Sequence, residues 1–259
     1  MPNPQDEFLD SVITQVVGGY QLTPRLGVQI NLPLISREYR RLEDGAAVRG
    51  DESGVGDLLL QANLVAYRME TATAVFRLTL LGGLKLPTGN SDPLGEEFVP
   101  DGAREPAEEE ASGIHGHDLA LGSGSVDGLV GGQLYWGWER LFFSGTLHYD
   151  IRGEGSFDYR FANALLWAGG PGVYAYVAGD RSLGVQAALT GETKGKDRQQ
   201  GRAVDDSAVT RLYLGPSAVL TWGPSLDAEV AADIPVVRHN TALQIVPDVR
   251  IRAAATWRF

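Results

Sequence analysis

Ser144, Thr146, His148 and Asp150 occupy alternate positions and include the residue types of a serine hydrolase. In such enzymes a histidine takes the serine proton and an acid orients the histidine. On an extended strand, alternate residues share one face but are spaced along it, so Ser144 and His148 are too far apart for direct contact. The row therefore indicates a polar strand face. The sequence predicts no catalytic residue. A membrane-embedded hydrolase is kept as a distant third alternative, after the two functions given at the end of this section.

Two other groups of residues could bind ions. His115 and His117 alternate and could form a pair of metal ligands, but no third ligand follows nearby, so a polar junction between a loop and a strand is preferred. The segment 89–114 contains eight Asp and Glu residues against Arg104 alone, and these carboxylates could bind divalent cations at a lipopolysaccharide surface. An acidic run without EF-hand spacing is typical of a solvated loop. The sequence predicts no metal and no cofactor.

Composition excludes several classes of protein that could carry such residues. The 259 residues contain 22 Lys and Arg against 33 Asp and Glu, and the resulting net charge of −11 argues against nucleic-acid binding. The absence of Cys excludes disulfides, thiolate catalysis and cysteine-based metal sites. The 33 Gly and 13 Pro are too many helix breakers for a helical bundle. Short strands and turns are therefore expected.

A membrane-spanning helix is also not expected. The N-terminus has neither a basic start nor an apolar segment, so any signal peptide has already been removed. The longest uncharged run, 161–179, is 19 residues long, which is enough to cross a bilayer as a helix. Its centre, Gly169-Gly170-Pro171-Gly172, would interrupt the helical backbone bonds that hydrocarbon requires. A transmembrane β-barrel stays open, because its strands carry only a weak alternating signal.

Alternation of apolar and polar residues is clearest at the C-terminus. In 243–259 the odd positions are all non-polar, and the even positions include Asp248, Arg250, Arg252 and Arg258. Strands of soluble proteins usually have about five or six residues, so this one is unusually long. Its length is typical of a tilted membrane-spanning strand that projects beyond the bilayer. The same alternation predicts eleven strands in all. They cover 12–22, 26–39, 57–67, 74–88, 119–138, 141–152, 159–175, 183–194, 211–222, 226–236 and 243–259.

The connections between these strands alternate in length. Short turns fall at 23–25, 70–72, 139–140, 179–181 and 223–225, and longer or more polar loops at 40–53, 89–114, 153–158, 195–206 and 238–242. This sorting is typical of an outer-membrane barrel and not of a soluble sandwich. Aromatic residues near the short turns, Tyr20, Trp222, Trp257 and Phe259, suit an interfacial girdle. The sequence predicts an all-β, antiparallel, up-and-down transmembrane β-barrel that forms one domain over 1–259.

An odd number of strands leaves the predicted barrel incomplete. If the short turns are periplasmic, eleven strands place the N-terminus on the extracellular side, whereas single-chain bacterial barrels have an even number of strands. A chain that starts one strand late would leave a sheet edge that needs a partner. We therefore expect about twelve strands in the full-length form. The first of them is expected to be absent or to lie within 1–11.

Several segments resemble a known family. Gly-Val-Gly-Asp-Leu at 54–58 opens one predicted strand, and Lys-Leu-Pro-Thr-Gly at 85–89 closes the next. Further matching segments are 19–26, 31–34, 122–125 and 257–259. Over 15–259 the sequence resembles the outer-membrane β-barrel transporter family of the meta-pathway of phenol degradation. The resemblance implies a barrel of about twelve strands and a transport role. Phe259 resembles the terminal signal that the barrel-assembly machinery reads.

Charged and polar residues collect on the faces that would point into the barrel. The predicted lumen-lining residues are Asp57, Gln61, Tyr67, Arg77, Lys85, Asp127, His148, Asp150, Arg211, Tyr213, Asp227, Glu229, Asp233, Arg250 and Arg252. They could line a polar pore that passes small solutes, or they could pair as a structural salt-bridge network that fills a closed interior. Both interpretations stay open. The mixture of signs predicts no strong ion selectivity.

The function expected from these patterns is that of a porin-like channel or transporter in a Gram-negative outer membrane. It would take up small molecules passively, hydrophobic or aromatic ones among them. A non-transporting structural or surface-interaction barrel is the alternative. The expected partners are outer-membrane lipid and lipopolysaccharide, the barrel-assembly machinery through Phe259, and the small-molecule solute, but no nucleic acid.

Overall fold

Antiparallel strands dominate the computed structural model, which describes residues 7–43, 46–97, 114–204, 207–240 and 247–259. The strands in these ranges are β1 (Phe8–Gln21), β2 (Leu26–Glu43), β3 (Ala46–Val55), β4 (Leu58–Glu70), β5 (Ala74–Leu86), β6 (Asp127–Trp138), β7 (Leu141–Ile151), β8 (Tyr159–Arg160), β9 (Ala164–Ala178), β10 (Arg181–Lys194), β11 (Arg198–Gln199), β12 (Arg202–Ala203), β13 (Val209–Trp222), β14 (Leu226–Asn240) and β15 (Arg250–Trp257). No helix in the described ranges has the length and apolar character needed to cross a membrane.

The main sheet follows the chain order. Its strands pair as β1-β2-β4-β5-β6-β7-β9-β10-β13-β14-β15, each antiparallel to the next, while β3 pairs with β2. Each predicted strand has a counterpart in this path of eleven, and the sheet is strongly curled into a half-barrel. The predicted all-β, antiparallel, up-and-down fold is confirmed.

Alternation along the strands gives the sheet two different faces. On one, which we call the apolar face, cross-strand pairs such as Leu64 with Leu80 and Leu60 with Leu84 are exposed. On the other, the polar face, Gln61 and Thr79 are buried. Because a curled sheet crowds the side chains on its concave side, the less exposed polar face is the concave one.

The predicted loop 40–53 is wrong, because the ladder with β2 continues through it. Strands β3 and β4 both pair with β2 and act as one long strand interrupted at Gly56 and Asp57. The Gly56 amide donates to the Pro33 carbonyl at 2.8 Å across this interruption. A Cβ at Gly56 would lie 2.8 Å from the Pro33 ring, so the close approach requires glycine.

Other predicted boundaries also shift. The strand predicted at 119–138 begins only at Asp127, since Gly116–Leu119 forms a short helix, α1. Tyr159–Arg160 was predicted to start a long strand but pairs instead with β11. Strand β12 completes this three-stranded sheet, and β11 and β12 both lie within the predicted loop 195–206. The last strand is shorter than predicted, with Arg250–Trp257 as its range, and 241–246 lie outside the described residues.

In the described residues the path of eleven strands ends at β1 and β15, and β3 is also paired on one side only. As first and last of eleven antiparallel strands, β1 and β15 run in the same direction, so an antiparallel closure between them needs a further strand. Phe8–Ser11 pairs with β2 as part of β1, so these residues form no separate strand. The rest of the expected location, 1–6, lies outside the described residues.

The long connections build a compact cap at one end of the sheet. The cap comprises a 3-10 helix at Asp92–Glu97, α1, a 3-10 helix at Ser156–Asp158 and the small sheet of β8, β11 and β12. Leu94, Ala120 and Tyr159 are buried together, with Phe161 and Val204 packed against them. The cap therefore has an apolar cluster of its own, separate from the buried residues of the curled sheet.

Candidate lumen site

The register of the strands places the predicted lumen-lining residues. All of them except Tyr67 lie on the polar face: Asp57, Gln61, Arg77, Lys85, Asp127, His148, Asp150, Arg211, Tyr213, Asp227, Glu229, Asp233, Arg250 and Arg252. Whether they line an open pore stays a prediction.

Tyr67 lies on the apolar face. The pairing of β4 with β5 shifts between Val65 and Tyr67, which places Tyr67 opposite Leu78. Its ring and the ring of Phe76 form a T-shaped pair with 5.7 Å between centroids. A bulge inserts one extra residue and therefore reverses the alternation beyond it. The inward placement predicted for Tyr67 is wrong for this reason.

Lys85 joins two buried carboxylates at the capped end of the polar face. Its Nζ lies 3.0 Å from Asp57 Oδ2 and 2.7 Å from Asp127 Oδ2, and it donates to Ser123 Oγ at 3.0 Å. Asp57 also accepts the Gly89 amide at 3.0 Å and the Ser123 amide at 2.8 Å. These bonds tie the chain on both sides of the acidic segment to β4 and β5.

Arg152 extends this cluster toward β7. Its guanidinium contacts Asp127 at 2.8 Å and Asp150 at 2.7 Å. Asp127, only 2% exposed, also accepts Ser125 Oγ at 2.6 Å and the Gly153 amide at 3.0 Å. Buried charges persist when they are paired and hydrogen-bonded.

The anchoring network, as we call Asp57, Lys85, Ser123, Ser125, Asp127, Asp150 and Arg152, has a structural role in the fold. Two cations against three carboxylates leave it with a formal charge of −1. It holds the connections around 87–91, 121–126 and 152–155 onto the strands. This part of the polar face matches the salt-bridge interpretation of the sequence.

A second cluster, the arginine site, surrounds Asp233. This carboxylate is fully buried and receives Arg252 as a fork, at 3.0 Å from Nε and 3.2 Å from a terminal nitrogen. Arg250 reaches the same carboxylate at 3.3 Å, and its guanidinium lies 3.7 Å from the centroid of the Tyr213 ring. Two cations therefore share one carboxylate.

A cavity of about 110 Å³ lies beside the arginine site. Its polar lining residues are Thr146, His148, Thr190, Glu192, Tyr213 and Arg250, and Leu166, Trp167 and Ala168 complete the wall. Four lining atoms are buried without a hydrogen-bond partner among the described residues, namely His148 Nε2, Thr190 Oγ1, Tyr213 OH and Arg250 Nε. The charge of Glu192 is balanced by Arg211, whose Nε lies 3.7 Å from Glu192 Oε2.

An aromatic cluster on the polar face was not predicted from the sequence. The Tyr135 and Tyr174 hydroxyls share a hydrogen bond of 2.7 Å, and both rings lie against the buried Phe142. The signal that could have found it is Phe142 itself, which occupies a polar-face position of a strand that is otherwise polar on that side. The cluster lies near the short-turn end, away from the cap.

Other candidate groups do not form the sites that were considered. Ser144 Oγ accepts Gln186 Nε2 at 2.8 Å, and the described residues contain no hydrogen bond between Ser144 and His148. His115 and His117 stack at 5.5 Å at the start of α1, so the junction leads into a helix and not a strand.

The acidic segment is only partly described. Asp92–Glu97 forms a 3-10 helix, in which Glu96 pairs with Arg41 at 2.7 Å, while 98–113 lie outside the described residues. Within the described ranges, no three acidic or histidine side chains are grouped as metal ligands.

The aromatic residues near the short turns are exposed. Tyr20, Trp222 and Trp257 lie on the apolar face, and Trp222 carries the Arg181 guanidinium at 3.9 Å from its ring. Phe259 is fully exposed at the C-terminus. Aromatic rings with a polar neighbour suit a membrane–water boundary.

Comparison with known proteins shows a likeness to solved structures but not to protein families. No protein-family model and no curated protein matches the chain. Among solved structures, the crystal structure of an outer membrane channel from Pseudomonas putida F1 matches with a TM-score of 0.60 and 21% sequence identity. The match covers 95% of this chain and 82% of the other. At this identity the likeness shows the fold.

Proposed function

We propose that the chain is an integral outer-membrane channel through which small molecules cross passively, hydrophobic or aromatic ones among them. The observation that carries the proposal is the single curled sheet with an exposed apolar face and a polar concave face. The fold shared with an outer membrane channel supports it.

The apolar face argues for lipid as its surroundings. Large apolar side chains are exposed along successive strands, for example Leu64, Leu80, Val130, Leu147 and Leu214. Soluble monomers rarely expose contiguous apolar patches beyond roughly 300–600 Å². A face that extends across the whole sheet is stable in hydrocarbon, where exposing it costs nothing.

The polar face supports passage of small solutes with little charge preference. The anchoring network has a formal charge of −1, and the residues of the arginine site add positive charge farther along the same face. Alternating signs favour no single class of ion. The cluster of Tyr135, Phe142 and Tyr174 supports contact with aromatic solutes on this path.

The capped end favours a second candidate, a barrel that does not transport. The five charged side chains of the anchoring network are all in ion pairs, and the cap has its own apolar core around Leu94 and Tyr159. Both features would suit a closed structural barrel or one whose loops contact other surfaces. Permeability separates the two candidates.

Membrane placement and partners belong to the same proposal. The exposed apolar face would contact outer-membrane lipid, and the cap would face lipopolysaccharide. Phe259 would be read by the barrel-assembly machinery during insertion. Membership in the transporter family of the meta-pathway of phenol degradation is part of this proposal and is supported by the shared strand-end segments 54–58 and 85–89.

Liposome swelling tests the channel. Vesicles that contain the full chain are expected to swell in isotonic arabinose faster than protein-free vesicles, because solute entry draws in water, and raffinose should enter more slowly. Folding is checked beforehand by the heat-dependent shift of the band on a gel. Properly folded protein that gives no swelling in arabinose would contradict the channel and favour the non-transporting barrel.

A further inference from the structure

We infer that the cavity beside the arginine site binds a small carboxylate. The inference rests on the proposed function, since it assigns a class of solute to a site on the polar face of the channel. The charge around the cavity, its unpartnered polar atoms and its volume all favour such a ligand.

Arg250 is the cation that the arginine site leaves unbalanced. Asp233 already receives two hydrogen bonds from Arg252, at 3.0 and 3.2 Å, and bidentate pairs of this kind are strong. Arg250 adds a single contact at 3.3 Å. With Glu192 and Arg211 included, three arginines face two carboxylates, so the formal charge is 3 − 2 = +1.

The cavity presents hydrogen-bonding groups that an anion would satisfy. Tyr213 is 1% exposed, lines the cavity, and its hydroxyl has no partner among the described residues. Arg250 Nε, which can only donate, and the Thr190 hydroxyl are also buried without a hydrogen-bond partner among the described residues. The oxygens of a carboxylate can accept hydrogen bonds from all three groups. Leaving buried donors without a hydrogen bond is costly.

The position of Arg250 is fixed before any ligand arrives. Asp233 holds one terminal nitrogen, and the Tyr213 ring lies beneath the guanidinium at 3.7 Å. A group held in place loses little conformational freedom on binding. Its side chain is still 31% exposed, so the site is reached from the polar face.

The volume selects a small ligand. About 110 Å³ is available, which is less than the roughly 150 Å³ of a cavity that binds benzene. An acetate-sized carboxylate fits within it. Acetate and acetamide have the same shape and differ in charge, so they separate recognition of the anion from recognition of the shape.

Saturation-transfer NMR on the full chain in detergent micelles tests the inference, with acetate or acetamide as the probe at fixed ionic strength. Acetate is expected to receive saturation from the protein and acetamide is not. Arg250→Gln should weaken acetate binding at least about tenfold, as expected on losing a charge-assisted hydrogen bond. Arg181→Gln removes the same charge from the apolar side and should change binding less than about twofold.

Tyr213→Phe keeps the ring beneath Arg250 and removes only the hydroxyl, so it covers the case in which Arg250→Gln fails to fold. It should weaken acetate binding about threefold or more. Equal binding of acetamide, or unchanged acetate binding in folded Arg250→Gln or Tyr213→Phe, would overturn the carboxylate site. Acetate binding without permeability to arabinose would keep the site and overturn the channel, and permeability without acetate binding would do the reverse.

Discussion

Three buried carboxylates are held closely by the groups around them. Asp127, Asp197 and Asp233 are each 2% exposed or less, and each is surrounded by cations or donors. Asp197 accepts Lys194 Nζ and the Tyr159 hydroxyl, both at 2.9 Å, within the cap. Removing one partner of a buried pair leaves the remaining charge uncompensated, which costs more than the pair itself contributes.

Lys85→Met should therefore destabilise the protein strongly. Asp57 and Asp127 would lose their shared cation, and we expect the free energy of unfolding to fall by about 3 kcal/mol. Urea unfolding in micelles, followed by tryptophan fluorescence, measures the change. Arg68→Gln is the control, because it breaks an exposed pair with Glu70 and should cost less than about 1 kcal/mol. Equal losses in the two variants would contradict this account of the anchoring network.

At the scale of the elements, each strand carries two faces that require different surroundings. Residues at adjacent positions of β6 illustrate this, since Leu134 pairs with Leu78 on the apolar face and Gln133 pairs with Thr79 on the polar face. Both lie in the middle of the strand, where a membrane would be most apolar. The faces therefore predict opposite responses to the same substitution.

Leu134→Arg should cost about 2–4 kcal/mol of stability in lipid vesicles, because the charge would enter the hydrocarbon near its midplane. Gln133→Arg, one residue away, should cost less than about 1 kcal/mol because its side chain reaches the polar face. Equilibrium unfolding in vesicles measures both values. A larger loss for Gln133→Arg than for Leu134→Arg would reverse the assignment of the two faces.

The strands were predictable because alternation is a local property of the sequence. Each of the eleven strands of the curled sheet was found from its own residues, as in 226–236 and 211–222. The bulge beside Tyr67 was not, since an extra residue in one strand is visible only in its pairing with the next. Strand β3 was missed because its polar, Gly-containing residues read as a loop, and its order comes from the ladder with β2.

At the scale of the whole molecule, the cap joins segments that are far apart in the chain. Leu94, Ala120, Tyr159 and Val204 meet there, and no local pattern marks them as neighbours. The sequence predicted that Asp57, Lys85 and Asp127 lie on the same face of the sheet. Their contact through Lys85 was not predictable, because it depends on strand register. Local periodicity thus predicts the curled sheet, whereas the cap and the anchoring network depend on contacts between residues far apart in the sequence.

Tyr159→Ala should loosen the cap without disturbing the curled sheet. The change removes a fully buried ring and the donor to Asp197, and substitutions of this size cost about 3 kcal/mol or more. If the cap restricts the path along the polar face, liposome swelling in arabinose should become faster than with the unchanged chain. Phe161→Leu, at the edge of the same core, serves as a milder control. Slower swelling in folded Tyr159→Ala would contradict a restricting cap.

Single-channel recording in planar lipid bilayers tests the channel itself most directly. The folded full chain is expected to give small, discrete current steps that are proportional to voltage, with little selectivity between cations and anions, because both signs of charge occur along the polar face. Bilayers with the folded chain inserted, its heat-dependent gel shift intact, but with no conductance steps above those of lipid alone would contradict the account.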